Sequence, residues 1–291
     1  MAPVVLVHGI FNHVRGATPA EAASAKAEEF GLKLGQGMAR VGSVGPPPGV
    51  AVAYYADLLR TLLPEQAQDG GVDHTFGSLP VGLQAEAMEW LAAAGARVPT
   101  DAQNQALRPF RQLVGWLTDD RGKGLGQAVR EQTVRRVERA VVASLQEVEA
   151  YTTWPERRRL VRERIADVIR HERPQVVIAH SLGSYTTYET LHAHPDLKVE
   201  LLVTVGSPLR VPALVRRLDP ALRAGRGAKP PGVERWVNIA DVGDVVAVPT
   251  GLAAVFDIDH EETCDLGWGV HGLGSYLSQG LVAAAATPYL A

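Results

Sequence analysis

Nothing else in the sequence limits the fold as sharply as Val176-Val177-Ile178-Ala179 and the four residues that follow it. Three consecutive β-branched residues without polar alternation read as a strand over Gln175 to Ala179 that is covered on both faces. A helical pattern resumes at Ser184 and Tyr185, so the chain must reverse within His180-Ser181-Leu182-Gly183. A serine at the apex of so sharp a strand-to-helix turn sits on strained backbone with its hydroxyl lifted clear of the sheet. Small residues two before and two after it let strand and helix approach closely. Ala179 and Gly183 occupy those places, giving the elbow pattern G-x-S-x-G with alanine for its first glycine.

A strand buried on both faces needs parallel neighbours and helices on either side, and the rest of the chain supplies them. Val4 to Val7 reads as a second buried strand, followed by a helix over Pro19 to Arg40 with Ala23, Ala27, Phe30, Leu34 and Met38 on one face. A strand over Val50 to Tyr55 completes a βαβ unit. Later strands are expected over Glu200 to Val205, over Arg235 to Ile239 and near Ala254 to Ile258. Helices are expected over Pro155 to Glu172 (with Thr153 as N-cap), from the elbow to His194, over Pro212 to Leu222, and over Leu273 to Ala286. Five or six buried strands alternating with helices indicate an α/β fold, a three-layer, doubly wound, mostly parallel sheet. With 291 residues and 46% hydrophobic content, one such domain spanning 1–291 is expected.

The alternation stops between Ala56 and Tyr151, where only helical stretches occur: Gly82 to Ala94, Ala102 to Leu117 and Gln127 to Tyr151. We read 56–151 as a helical cap inserted into the domain, because strands resume after it. Trp90, Phe110 and Trp116 suit the lining of an acyl pocket and helix packing equally well.

The net charge of -3 gives no reason to expect nucleic acid as a partner. A single cysteine, Cys264, excludes an intrachain disulfide and a cysteine-built metal cage. No stretch reaches the roughly 20 apolar residues of a membrane span, and the start lacks a secretory pattern. The expectation is a cytoplasmic protein without an integral membrane segment. The arginine-rich face of Pro155 to Glu172 is interleaved with glutamates and reads as solvated.

A serine hydroxyl becomes a useful nucleophile when a base takes its proton and a carboxylate fixes that base's tautomer. In sheets of this kind the partners follow the serine in the order acid, then histidine. His192 and His194 lie on the helix leaving the elbow, His260 in an acidic run, and His271 in a glycine-flanked loop before the last helix. His271 is the preferred base, with His260 the alternative. For the acid, Asp244 is preferred to Asp241, which suits a turn cap; Asp257 and Asp259 are further outside. The run Asp257 to Glu262 reads as a solvated loop rather than a cation site. Oxyanion donors are expected from the N–H of Leu182 and from that of Ile10 or Phe11, with Gly9 permitting close approach.

His8-Gly9-Ile10, Ala179-His180-Ser181-Leu182-Gly183, Val205-Gly206-Ser207-Pro208, Gly243-Asp244-Val245-Val246 and His271 together resemble the α/β-hydrolase superfamily, in particular its bacterial lipase and esterase-like branch. The likeness covers the core and not the insertion. It departs from the family in lacking the first two strands and in carrying Ala179. It implies a Ser181–His271–Asp244 triad, Ile10 and Leu182 as oxyanion donors, structural roles for His8 and His180, no cofactor or metal, and a small-molecule or lipid-like ester as substrate.

Overall fold

The computed structural model describes residues 1–43, 45–60, 75–94, 127–247, 249–266 and 271–290. Six strands form one sheet: β1 (Val4–Val7), β2 (Val50–Ala53), β3 (Val176–His180), β4 (Val199–Val205), β5 (Val233–Asp241) and β6 (His260–Cys264). Their spatial order is β2-β1-β3-β4-β5-β6, and every neighbouring pair is parallel. The register runs straight through the centre, with Leu6 opposite Ile178, Ile178 opposite Val203 and Val203 opposite Val237. The fold class expected from the sequence is the one observed.

Alternation along the strands sorts side chains into two cores, one on each face. Val5, Val7, Val177 and Ala179 face the helices Gln127–Thr152, Pro155–Glu172 and Leu182–Ala193. Val4, Leu6, Val176 and Ile178 face the helices Pro19–Arg40, Leu273–Gln279 and Leu281–Ala286. Burying each such aliphatic side chain contributes about 2 kcal/mol, which is why the central strands need no polar residue. The helix Val81–Ala93 joins the first core through Leu83, Ala87, Trp90 and Leu91.

The strand order decides where a site can form. The chain leaves β1 towards β2 on one side and leaves β3 towards β4 on the other. The connections after β1 and β3 therefore part, opening a crevice at the carboxyl ends of these two strands. Ser181 ends one side of that crevice and His8 to Asn12 the other.

Several expected elements differ. The strand sought near Ala254 to Ile258 is a 3₁₀ turn, Leu252–Ala254, and the sixth strand is the acidic segment His260–Cys264. This segment is the sheet's edge, mostly exposed, so burial does not require it to be apolar. Glu261 turns back from it to accept from the N–H groups of Gly251, Leu252 and Ala253 at 3.1, 2.7 and 3.1 Å. The last helix breaks at Gly280, whose φ of 107° lies in the left-handed region. Pro155–Glu172 is capped by Trp154 without a side-chain hydrogen bond, not by Thr153. The helix expected over Pro212 to Leu222 ends at Val215. The expected helix over Ala102 to Leu117, with Phe110 and Trp116, lies outside the described residues. No helix among the described residues is long and apolar enough to cross a membrane.

Candidate active site

Ser181 stands between β3 and the helix Leu182–Ala193 with φ 53° and ψ -129°. A non-glycine residue held there costs on the order of 1–3 kcal/mol, so the surroundings must enforce it. They do so from both sides. The Ser181 N–H donates to Val205 O at 3.1 Å, and its carbonyl accepts from Ser184 N–H at 2.9 Å and Ser184 Oγ–H at 2.6 Å. Gly183 lies so close to β1 that a Cβ would sit 2.5 Å from both Val7 O and His8 O. At Gly9 a Cβ would sit 2.5 Å from Ser181 Cβ. Both glycines are therefore required by close approach.

His271 Nε2 lies 2.8 Å from Ser181 Oγ and accepts its proton. The opposite ring nitrogen, Nδ1–H, donates to Asp244 Oδ1 and Oδ2 at 2.9 and 2.8 Å. These contacts fix the tautomer: the imidazole carries its proton on Nδ1 and offers Nε2 to the serine. Asp244 is fully buried, and its carboxylate also accepts from Val246 N–H at 2.9 Å and Tyr276 O–H at 2.8 Å. A buried carboxylate with four such contacts is held in orientation.

The alternatives are occupied elsewhere. Asp241 Oδ1 accepts from Gly243 N–H at 3.2 Å and Leu266 N–H at 3.1 Å, capping the turn that delivers Asp244. Burial raises its pKa above the usual carboxylate value. His260 sits exposed on β6 beside Glu262, at 3.2 Å. Asp257 pairs with Arg226 and Asp259 with Lys229. With Glu261 holding a backbone turn, the carboxylates of this run are already engaged. His192 Nε2 contacts Ala228 O at 3.2 Å, and His194 lies beside Arg170. Trp90 is fully buried, and its indole N–H donates to Val245 O at 3.0 Å, next to the acid.

The loop after β1 is pinned by contacts the sequence gives no hint of. Asn12 Nδ2 donates to Gly9 O at 3.0 Å and Ile10 O at 2.8 Å, and Tyr55 O–H donates to His8 O at 2.8 Å. A trans peptide points its N–H opposite to its C=O, so holding Gly9 O also aims the Ile10 N–H. Among the described residues the N–H groups of Ile10 and Leu182 have no protein acceptor, whereas the Phe11 N–H is directed at Glu147 Oε1, 3.4 Å away. His8 takes part as a neutral ring. Its Nε2 accepts from Tyr55 N–H at 3.2 Å, its Nδ1–H donates to Gly9 O at 2.8 Å, and it stacks on Tyr55 at 4.4 Å. His180 packs against His271 with ring centroids 4.7 Å apart.

Burial pushes the pKa of His8 down to about 4, and that of His180 well below its usual value. The unfolded chain binds these protons near pH 6.5 and the folded chain does not. Their contribution to stability is therefore complete above about pH 6.5 and is lost as pH falls towards 4. For His8 alone the loss is on the order of 3 kcal/mol. Urea midpoints at pH 7 and pH 4.5 check this: His8→Gln should show a shallower fall than wild type, and equal slopes would contradict it.

No family model and no curated protein matches the chain. A crystal structure of an esterase domain from a Rhodothermus marinus protein is similar, with a TM-score of 0.29 and 17% identity, over 55% of this chain and 81% of that one. A likeness of this size carries no functional argument.

Proposed function

We propose that the chain is a serine hydrolase of the α/β-hydrolase type that cleaves carboxylic esters through an acyl-enzyme. The observation that carries this is the unbroken series Ser181 Oγ, His271 Nε2, His271 Nδ1 and Asp244, with each step at 2.8–2.9 Å. Ser181 attacks the ester carbonyl carbon while His271 Nε2 takes its proton. Asp244 stabilises the resulting imidazolium and keeps the ring oriented. The tetrahedral oxyanion accepts from the Leu182 and Ile10 N–H groups. Its collapse expels the alcohol, protonated by His271. Water, deprotonated by the same nitrogen, then releases the acid and restores Ser181. Protein groups and water suffice for every step.

The 56–151 insertion would cover the crevice and set substrate choice. A thioester or amide is open to the same triad. Mixing enzyme with a p-nitrophenyl ester is expected to give a burst of p-nitrophenol stoichiometric with enzyme wherever deacylation is the slower step. Added methanol then speeds turnover by capturing the acyl group. Faster hydrolysis of matched anilides than of esters would move the assignment to an amidase. Turnover that methanol cannot partition would remove the acyl-enzyme.

A further inference from the structure

The acid has a partner that no elbow or triad pattern contains. Tyr276 lies on the helix Leu273–Gln279 and is 1% exposed, with its hydroxyl between two backbone-linked groups of the β5 end. It is 3.0 Å from Asp241 N and 2.8 Å from Asp244 Oδ2. The amide of Asp241 can only donate, so the phenol oxygen accepts there and its single proton is left for Asp244. Asp241 O in turn accepts from Asp244 N–H at 3.1 Å, closing the turn between the two aspartates. One hydroxyl thus joins the start of this turn to the carboxylate at its end.

Space for this contact is made by β4. Gly206, directly after the strand, has φ 56°, and a Cβ on it would lie 3.0 Å from Asp244 Oδ2, 3.2 Å from Tyr276 Cε2 and 3.3 Å from His180 Cδ2. The left-handed conformation and the missing side chain together leave the tyrosine its route to the acid.

We propose that Tyr276 is a positioning residue of the site, holding the Asp244 carboxylate in the orientation that offers both of its oxygens to His271 Nδ1. The torsion about a carboxylate's last bond is soft and roughly two-fold. Oδ1 is fixed by Val246 N–H, and without Tyr276 the only donor left on Oδ2 among the described residues is His271 itself. His271 and Tyr276 bracket the start of one short helix, so the segment that delivers the base also locks the acid it uses. The inference rests on the triad reading for its kinetic consequence and on geometry alone for the contact.

The hydroxyl also shares the carboxylate's charge. Removing it concentrates that charge on the His271 hydrogen bond and favours the imidazolium. The acid limb of the kcat/KM profile therefore moves to higher pH. Other groups facing the pair are His180 against the His271 ring, and Asp241, Cys264 and Asp265 around the acid. None of these changes in the variant. Burial, reinforced by Asp244, raises the phenol's own pKa and keeps it a donor throughout.

Tyr276→Phe is expected to lower kcat about tenfold with KM within about twofold, as a small misplacement of a reacting group does. The acid limb should rise by about half a pH unit, and the His271 Nδ1–H proton resonance should move. Site-specific 3-fluorotyrosine at 276, a stronger donor of nearly the same size, should move the limb the opposite way and covers the case in which the phenylalanine variant fails to fold. Unchanged kcat overturns the proposal, as does a loss of kcat with limb and resonance unmoved, which would make the tyrosine packing alone. If wild type hydrolyses no ester, the functional reading falls, and the His271 resonance in the variant still decides the role of Tyr276.

Discussion

Ser181→Ala should lower kcat on a p-nitrophenyl ester by about 10⁴- to 10⁶-fold while leaving KM nearly unchanged. The size follows from what the hydroxyl does: it is the atom that His271 Nε2 faces at 2.8 Å and the one to which the acyl group would be attached. The residual rate would come from the backbone donors and from substrate binding, which the variant keeps. The fold should survive. Alanine must hold the same φ of 53°, and the contacts that enforce it come from Val205 O, Gly183 and Ser184, not from the Ser181 side chain. A melting temperature within a degree or two of wild type, with activity gone, is the expected pair of results. Retained hydrolysis would mean that another group attacks.

Glu189→Ala should produce the largest loss of stability, about 3–5 kcal/mol, or a melting temperature lower by about 10 °C. Glu189 is fully buried on the helix that leaves the elbow. Its Oε2 accepts from Tyr151 O–H at 2.6 Å, Arg162 Nη2–H at 2.7 Å and Arg158 Nε–H at 2.9 Å. Its Oε1 accepts from Arg158 Nη2–H and, at 3.0 Å, from Asp219 N–H. One carboxylate thereby ties the elbow helix to Gln127–Thr152, to Pro155–Glu172 and to the loop before Pro220. Alanine deprives two guanidinium groups, 19% and 14% exposed, of their buried counter-ion, leaving Arg162 with Asp219 Oδ2 at 2.9 Å and Arg158 with Arg217 O at 2.7 Å. The loss comes from these under-compensated charges more than from the missing attraction. Adding Arg158→Leu and Arg162→Met to Glu189→Met should recover most of the stability. Thermal unfolding of the single and triple variants checks both statements, and a single-variant loss below about 1 kcal/mol would contradict them.

The sheet was legible because its strands are buried on both faces. Runs such as Val4 to Val7 and Val176 to Ile178 can be little else once helical patterns lie between them. The elbow was legible for a related reason, since so few residues separate strand from helix. β6 was not, because His260-Glu261-Glu262-Thr263-Cys264 pairs through its backbone at an exposed edge, where no hydrophobic pattern is imposed. Asp241 and Asp244 share one turn, and sequence order cannot say which faces the histidine. The structure directs Asp241 onto the N–H groups of Gly243 in its own turn and of Leu266 beyond β6, and Asp244 onto His271. Asn12 and Tyr276 carry no signal of their type: a buried tyrosine on a short helix looks like any core aromatic until its hydroxyl is followed to its acceptor.

The most direct test of an activated Ser181 is intact mass after incubation with a fluorophosphonate probe, on wild type and on Ser181→Ala in parallel. The account predicts one adduct on wild type and none on the variant. No adduct on wild type, or an equal adduct on both, would contradict it.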